Sequence, residues 1–142
     1  MDTNVVSQSS KDRPNPTIES WLEQHDSRLM YMSVISLTEM RVGLGLMSPG
    51  KKRDAISHWL ERSVVPHFQD RILPVTSEIA VECGDMLAAA KRAGHTPDPL
   101  DALIAATARV NGFSVLTLNR KHFSALQVTL VDLQEAVRPY GP

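Results

Sequence analysis

The sequence predicts one α/β domain, in which a central, mainly parallel sheet of about four to five strands lies between helices on both faces. Two observations lead to this prediction. Short apolar segments of strand length alternate with longer segments whose apolar residues follow helical spacing, and this alternation is typical of parallel strands joined by helices. The length of 142 residues suits a single domain, 1–142, with a core of its own.

The start of the chain predicts a turn, a loop and a helix. Two valines directly follow the polar residues 2–4, but almost nothing precedes them. Most of any strand that leads into this turn is therefore absent. Residues 8–16 are polar and contain two prolines, which predicts a loop. Residues 18–25 predict a helix, because Asn15 or Thr17 can cap its start and its apolar residues share one face.

The next segments predict one strand and two helices. Residues 29–33 predict a short buried strand, and residues 34–46 predict a helix whose apolar residues are interrupted by Glu39. After a turn with proline and glycine, residues 51–65 predict an amphipathic helix. Its basic start, 51–53, is either a solvated helix end or a contact for a phosphate backbone.

The middle of the chain predicts a strand and two further helices. Residues 71–75 are strand-like, and residues 76–93 predict a long helix that Gly94 ends in a left-handed turn. Asp98 and Pro99 predict the start of the next helix, because Asp accepts hydrogen bonds from free N–H groups and Pro suits the first helical position. The apolar stripe of this helix is predicted to consist of Leu100, Leu103, Ile104 and Thr107.

The last part predicts two strands. They lie at 113–117 and 128–131, and a loop or single helical turn over 119–123 separates them. A helical turn over 132–137 follows the second strand.

Composition limits the possible functions. The chain has 15 basic and 16 acidic residues, so a nucleic acid would need a local patch or metal ions to be held. The single cysteine, Cys83, excludes an internal disulfide, and its place within a predicted helix favours a packing role. No signal peptide, membrane span, paired zinc-ligand spacing or glycine-rich phosphate loop is recognisable. We therefore expect a soluble, cytoplasmic protein.

Acidic and amide side chains occur where they could converge at one edge of the predicted sheet. Asp2 follows the first strand, Glu39 lies in an apolar helix, Asp101 opens a helix, and Asn119 follows the strand 113–117. Ligands of parallel sheets bind beyond the carboxyl ends of the strands. Clustered oxygen ligands suit Mg²⁺ or Mn²⁺, and such an ion can orient and activate a water for attack on a phosphate.

Each of these residues also has a purely structural explanation. Asp101 could serve only the positive end of a helix dipole, and Asp2 could be a solvated terminal residue. Glu39 could pair with Arg41 or with a neighbour, since an unpaired buried carboxylate is costly. The residue types and their spacing alone leave both explanations open.

Four ordered blocks of the sequence resemble the PIN domain family, and most closely the VapC and FitB-like toxin ribonucleases. The blocks are DTNVVS at 2–7, TE at 38–39, DALIAATA at 101–108 and LTLNRKHF at 116–123. The resemblance implies a three-layer α/β/α fold and a Mg²⁺- or Mn²⁺-dependent endoribonuclease, the toxin of a toxin–antitoxin pair. It also implies an antitoxin whose tail covers the site, a homodimer, and contact with DNA only through the antitoxin complex.

The resemblance also implies roles for individual residues. Asp2, Glu39 and Asp101 would be metal ligands. Asn119 would stand at the fourth corner of the site, where the family often adds an acidic residue three positions later. This chain has His122 there, which would contact a phosphate instead. Thr3, Asn4 and Thr117 would orient ligands or substrate, and Arg41 together with 51–53 would help to place the RNA backbone.

The chain departs from the resemblance at its start. Family members carry several apolar residues of a first, central strand before the DTN, whereas only Met1 precedes it here. We therefore expect this strand to be truncated. Together with the neutral fourth corner, the short strand supports a second hypothesis, a catalytically weak or inactive PIN-like module that binds an antitoxin or RNA. Trp21, Trp59 and 30–32 offer apolar surface for a dimer, although residues of these types belong more often to the core.

Overall fold

The structure is a computed structural model that describes residues 27–117 and 119–132. In this part of the chain, short strands form two parallel pairs. The pairs are β1 (Met32–Ser33) with β2 (Ile72–Leu73), and β3 (Val115–Thr117) with β4 (Leu130–Asp132). All four strands overlap the predicted strand segments, and the predicted α/β class with parallel strands is confirmed.

Helices connect these strands, as the alternation of segments predicts. They are α1 (Val34–Leu46), α2 (Lys51–Trp59), α3 (Val65–Phe68), α4 (Ser77–Arg92), α5 (Pro99–Val110) and α6 (Arg120–Phe123). The start of the chain, the predicted helix over 18–25 and residues 133–137 of the predicted last turn lie outside the described residues.

Local capping explains where the main helices begin and end. The Ser33 hydroxyl accepts a hydrogen bond from the N–H of Ile35 at 3.1 Å, so α1 starts directly after β1. Thr76 Oγ1 accepts from the N–H of Ile79 at 3.2 Å and starts α4. Gly94, with φ of 86°, ends this helix in the left-handed region, as predicted.

The predicted helix over 51–65 continues to Phe68 and contains one wider, π-helical turn. A π-helical turn, Leu60–Val64, separates α2 from α3. Pro66 follows this turn in the first residues of α3. Because proline has no N–H and its ring clashes with the carbonyl four residues earlier, a regular α-helix cannot pass through it undisturbed. Leu60 and Val64 are buried as predicted.

Both strands of the first pair are shorter than their predicted segments. Turns of 3₁₀ helix, Ser27–Leu29 and Gln69–Arg71, take up the first residue of each predicted segment. Arg71 contributes to this arrangement, because its Nη1 donates a hydrogen bond to the carbonyl of Met30 at 2.8 Å. This long-range contact favours a turn at Arg71, where sequence pattern alone predicts a strand.

Buried apolar residues form two clusters. One cluster joins β1, β3 and the residues 60–68 that follow α2. Its buried members are Met30, Met32, Leu44, Leu60, Val64, Phe68 and Leu116. The other fills the space between α4 and α5, where alanines such as Ala102, Ala105 and Ala106 are fully buried and allow the two helices to pack closely. The structure thus confirms α5 as a buried helix.

The predicted apolar stripe of α5 is wrong at its first position. Leu100 is 39% exposed, whereas Ile104 and Thr107 are buried. The first turn of α5 lies beside α6, and Leu100 does not reach the core there.

For Trp59 and the methionines of 30–32, the structure favours the core over dimer surface. Met30 and Met32 are buried, and Trp59 packs against the first core cluster, so these residues stabilise the fold and offer little surface for a dimer. Trp21 lies outside the described residues. Among the helices described, none is long and apolar enough to cross a membrane.

Candidate active site

Asp101 lies in the first turn of α5, at a helix start that the preceding residues define. Asp98 caps the helix, because its Oδ1 accepts hydrogen bonds from the N–H groups of Leu100 and Asp101 at 2.7 and 3.4 Å. The side chain of Asp101 is only 15% exposed. Because shielding a carboxylate from water is costly unless the group is paired, this position favours a bound cation or hydrogen-bond donor.

The end of β3 and the short helix α6 bring His122 to Asp101. Thr117, the last residue of β3, is buried, and its Oγ1 accepts a hydrogen bond from the N–H of Asn119 at 2.9 Å. Helix α6 begins after Asn119 and is anchored in the core by Phe123. His122 Nδ1 then lies 3.6 Å from Asp101 Oδ2. Asn119 therefore lies in the turn that carries the imidazole to the carboxylate.

Glu39 and Arg41 lie in α1, which packs against α5. The side chain of Glu39 is half-buried. Arg41 Nη1 lies 3.6 Å from Glu61 Oε1, and both of these side chains are more than half exposed. Exposed pairs of this kind contribute little to stability. Arg41 therefore pairs with a residue of the π-helical turn, and its guanidinium remains accessible to solvent.

A cavity of about 440 Å³ lies beside Asp101. One wall is the loop from His95 to Asp98 that precedes α5, and the opposite wall contains Lys121 and His122 of α6. A lysine and two histidines thus line the same cavity as two aspartates. This arrangement places groups that can hold an anion next to a largely shielded carboxylate.

Only part of the predicted metal-ligand set is described. Asp2 lies outside the described residues, as do Thr3 and Asn4. Within residues 27–117 and 119–132, no three His, Cys, Asp or Glu side chains form a group that could hold a metal ion. Glu39 and Asp101 nevertheless fit a hard cation in type, since both are carboxylates of reduced exposure. A further oxygen ligand would have to complete the set.

Comparison with known proteins identifies the family. The model of the PIN domain matches residues 1–128 of this chain. The chain belongs to the PIN domain family. The VapC ribonuclease Y4jK of Sinorhizobium fredii is 33% identical over 132 residues, which cover 93% of this PIN domain chain and 94% of the relative. Toxin FitB of Neisseria gonorrhoeae is also 33% identical over 132 residues, covering 93% and 95%.

A solved structure supports the same assignment. The structure described as FitAB bound to an IR36 DNA fragment is similar to this PIN domain with a TM-score of 0.86 and 32% identity. The similarity covers 93% of this chain and 92% of that chain. The resemblance and the fold predicted from the sequence are therefore confirmed.

Sequence reasoning missed two residues of the cavity in this PIN domain. His95 and Lys121 line the cavity beside Asp101. Their positions carry a signal in retrospect, because His95 precedes the cap of α5 and Lys121 adjoins His122 in the block after β3. The sequence signal is therefore a basic side chain close in sequence to Asp101 or to Asn119.

Cys83 has the packing role that its position predicts. The side chain is buried between α4 and α5, within the second core cluster. Burial raises the pKa of the Cys83 thiol, which disfavours the reactive thiolate.

Proposed function

We propose that this PIN domain is the toxin of a toxin–antitoxin pair and a metal-dependent endoribonuclease. The observation that carries the proposal is the largely shielded Asp101 carboxylate, which meets His122 at the carboxyl end of β3 beside an open cavity. The names of the relatives, a VapC ribonuclease and a toxin, support the same activity.

Asp101, Glu39 and Asp2 would hold Mg²⁺ or Mn²⁺, with Asn119 at the fourth corner. The metal would supply an activated water and neutralise charge on the phosphate. No side chain then has to act as the nucleophile. Since Asn119 is neutral, metal binding would rest on the three carboxylates. Thr117 would help to fix the turn that carries Asn119, because Thr117 Oγ1 accepts a hydrogen bond from the N–H of Asn119.

His122 and Lys121 would act on the substrate. Both line the cavity beside Asp101, and a protonated imidazole or an ammonium group can donate a hydrogen bond to a phosphate oxygen. In this arrangement the RNA phosphate lies between the metal ligands and α6. Arg41 and the basic residues 51–53, together with Thr3 and Asn4, would contribute to placing the RNA chain.

An antitoxin is the proposed protein partner. FitAB was solved bound to a DNA fragment, and the similarity to a chain of that structure covers 93% of this chain. By similarity, we expect this chain to contact DNA only as part of such a complex, and to form a homodimer. Val42 and Leu46 of α1, which are 55% and 83% exposed, provide apolar surface for a protein contact.

A second candidate is a binding module that holds RNA or an antitoxin without cleaving RNA. One observation favours it: the fourth corner carries Asn119 and His122 where an additional acid would strengthen metal binding. The candidates differ in whether the carboxylates support metal-dependent turnover.

Cleavage of a labelled structured RNA in Mg²⁺ or Mn²⁺ separates the two candidates. Asp101→Asn removes a proposed ligand while retaining size. Asp54→Asn is a matched control, because Asp54 is also an acid in the first turn of a helix but is exposed. We expect Asp101→Asn and a chelator to abolish cleavage and Asp54→Asn to retain it. A folded wild-type protein that binds RNA but does not cut it with either metal would support the binding module.

A further inference from the structure

The cavity beside Asp101 lies between two walls that come from different parts of the chain. One wall is the loop 95–98, which joins α4 to α5, and the other contains Lys121 and His122 of α6. The volume of about 440 Å³ falls within the range of roughly 300–1,000 Å³ that is usual for ligand sites. We call this space the Asp101 cavity.

Hydrogen bonds at both ends fix the loop that carries His95. The N–H of His95 donates to the carbonyl of Ala90 at 2.9 Å, which ties this end of the loop to the last turn of α4. At the other end, Asp98 Oδ1 accepts hydrogen bonds from two backbone N–H groups of α5. His95 is exposed and lines the Asp101 cavity. Its imidazole therefore extends from a backbone that is held in place.

Helix α6 holds Lys121 on the opposite wall. Phe123 is 1% exposed and anchors the helix in the core. Ser124 Oγ donates a hydrogen bond to the carbonyl of Lys121 at 3.0 Å, and the N–H of His122 donates to the carbonyl of Asn119 at 3.0 Å. Lys121 and His122 are both exposed and line the cavity. Basic residues thus stand on both walls of one cavity.

The polar groups of the Asp101 cavity suit a phosphate. An ammonium group and an imidazole N–H can both donate a hydrogen bond to a phosphate oxygen. Of the two aspartates in the lining, Asp98 accepts from N–H groups at the positive end of α5, which partly compensates its charge. Under the proposed function, a cation compensates the charge of Asp101. Lys121 and His95 then determine which ligand the rest of the cavity accepts.

The lining favours a phosphate of the RNA over a base. Bases of single-stranded nucleic acids commonly stack on Phe, Tyr or Trp, and none of the described residues that line the cavity is of these types. Contacts with phosphates carry no sequence information, whereas contacts with bases do. A phosphate ligand therefore predicts binding that is independent of base identity.

We propose that Lys121 and His95 clamp a second RNA phosphate, next to the one that meets Asp101 and His122. The inference rests on the proposed function for its ligand, RNA, and adds a subsite for a phosphate that is not cleaved. His122 Nδ1 lies 3.6 Å from Asp101 Oδ2, which assigns His122 to the reacting phosphate. One phosphate group fills only part of a cavity of about 440 Å³. The RNA strand then continues between the loop that carries His95 and α6.

The test measures RNA binding to full-length Asp101→Asn protein in chelator, so that neither cleavage nor metal contributes. Fluorescein-labelled oligouridylate and oligoadenylate are the probes, and fluorescence anisotropy gives Kd at several salt concentrations. In this background, Lys121→Gln should reduce the slope of log affinity against log salt by about 0.7, the value for one lost phosphate contact with a single strand. Lys121→Arg should keep the slope. Lys91→Gln is the matched control, because Lys91 is exposed on α4 outside the cavity lining.

Substitutions of His95 test the other wall in the same background. His95→Ala removes a hydrogen-bond donor and should weaken binding by about threefold or more, whereas His95→Gln retains a donor and should bind more tightly than His95→Ala. His58→Ala, at an exposed position of α2, should bind like the parent protein. The losses should be equal for the two RNAs, since the contacts are with phosphates.

Three results would each overturn the clamp: no RNA binding by the parent protein, an unchanged salt slope in Lys121→Gln or unchanged affinity in His95→Ala, and a loss confined to one of the two RNAs. Cleavage by the wild type is measured separately. A wild type that does not cut RNA, combined with the expected binding results, contradicts the proposed function alone. A wild type that cuts RNA, combined with unchanged binding in the variants, contradicts the clamp alone.

Discussion

His122 Nδ1 lies 3.6 Å from Asp101 Oδ2, and this pair joins the turn after β3 to the first turn of α5. The two residues differ in environment, because the imidazole is 59% exposed and the carboxylate only 15%. Because the imidazole of His122 faces solvent, it can meet a substrate, and another side chain can replace it beside the shielded carboxylate of Asp101.

His122→Asp is expected to strengthen metal binding. The substitution sets a second carboxylate beside Asp101, and two carboxylates favour a divalent cation more than one does. Half-maximal RNA cleavage should therefore occur at a lower Mn²⁺ concentration, by about tenfold. His58→Asp, an exposed site on α2, is the matched control.

The same variant has an expected cost without metal. Two like charges at about 4 Å repel by roughly 1 kcal/mol in water and by more where solvent is limited. His122→Asp should therefore melt at a lower temperature in chelator and recover when Mn²⁺ is added. A metal requirement and a melting temperature that both match the wild type would contradict this prediction.

Asp98→Ala should destabilise α5 at the site. Asp98 Oδ1 accepts hydrogen bonds from two backbone N–H groups, one of them that of Asp101. Loss of such a cap costs about 1 kcal/mol, so chemical denaturation should show a reduced free energy of unfolding. Asp54→Ala serves as the comparison, since Asp54 makes no cap for α2, whose N-cap residue is Gly50. Equal losses in both variants would show that the cap is not responsible.

The caps show which parts of the fold the sequence can predict. Asp98, Thr76 and Gly94 act on backbone groups a few residues away, so their types and positions predict the helix ends correctly. The bounds of β1 and β2 depend on Arg71, whose guanidinium reaches the distant Met30 carbonyl. Contacts of that kind have no local sequence signal.

The candidate site divides in the same way. The helix start makes Asp101 recognisable as an acid at a defined position, and the family blocks add Glu39 and Asn119. The contact of His122 with Asp101 and the pairing of Arg41 with Glu61 depend on how separate helices pack. Side-chain partners across elements therefore require the structure, whereas the helices that carry Glu39 and Asp101 are predictable from the sequence.

Cys83 should react slowly with thiol reagents in the folded protein. Burial between α4 and α5 raises the pKa of this thiol, so the thiolate, which is the reacting species, is depleted at any given pH below that pKa. Iodoacetamide modification, followed by mass spectrometry near pH 8, should be much slower than in the urea-unfolded chain. Equal rates in both states would contradict the packing role assigned to this side chain.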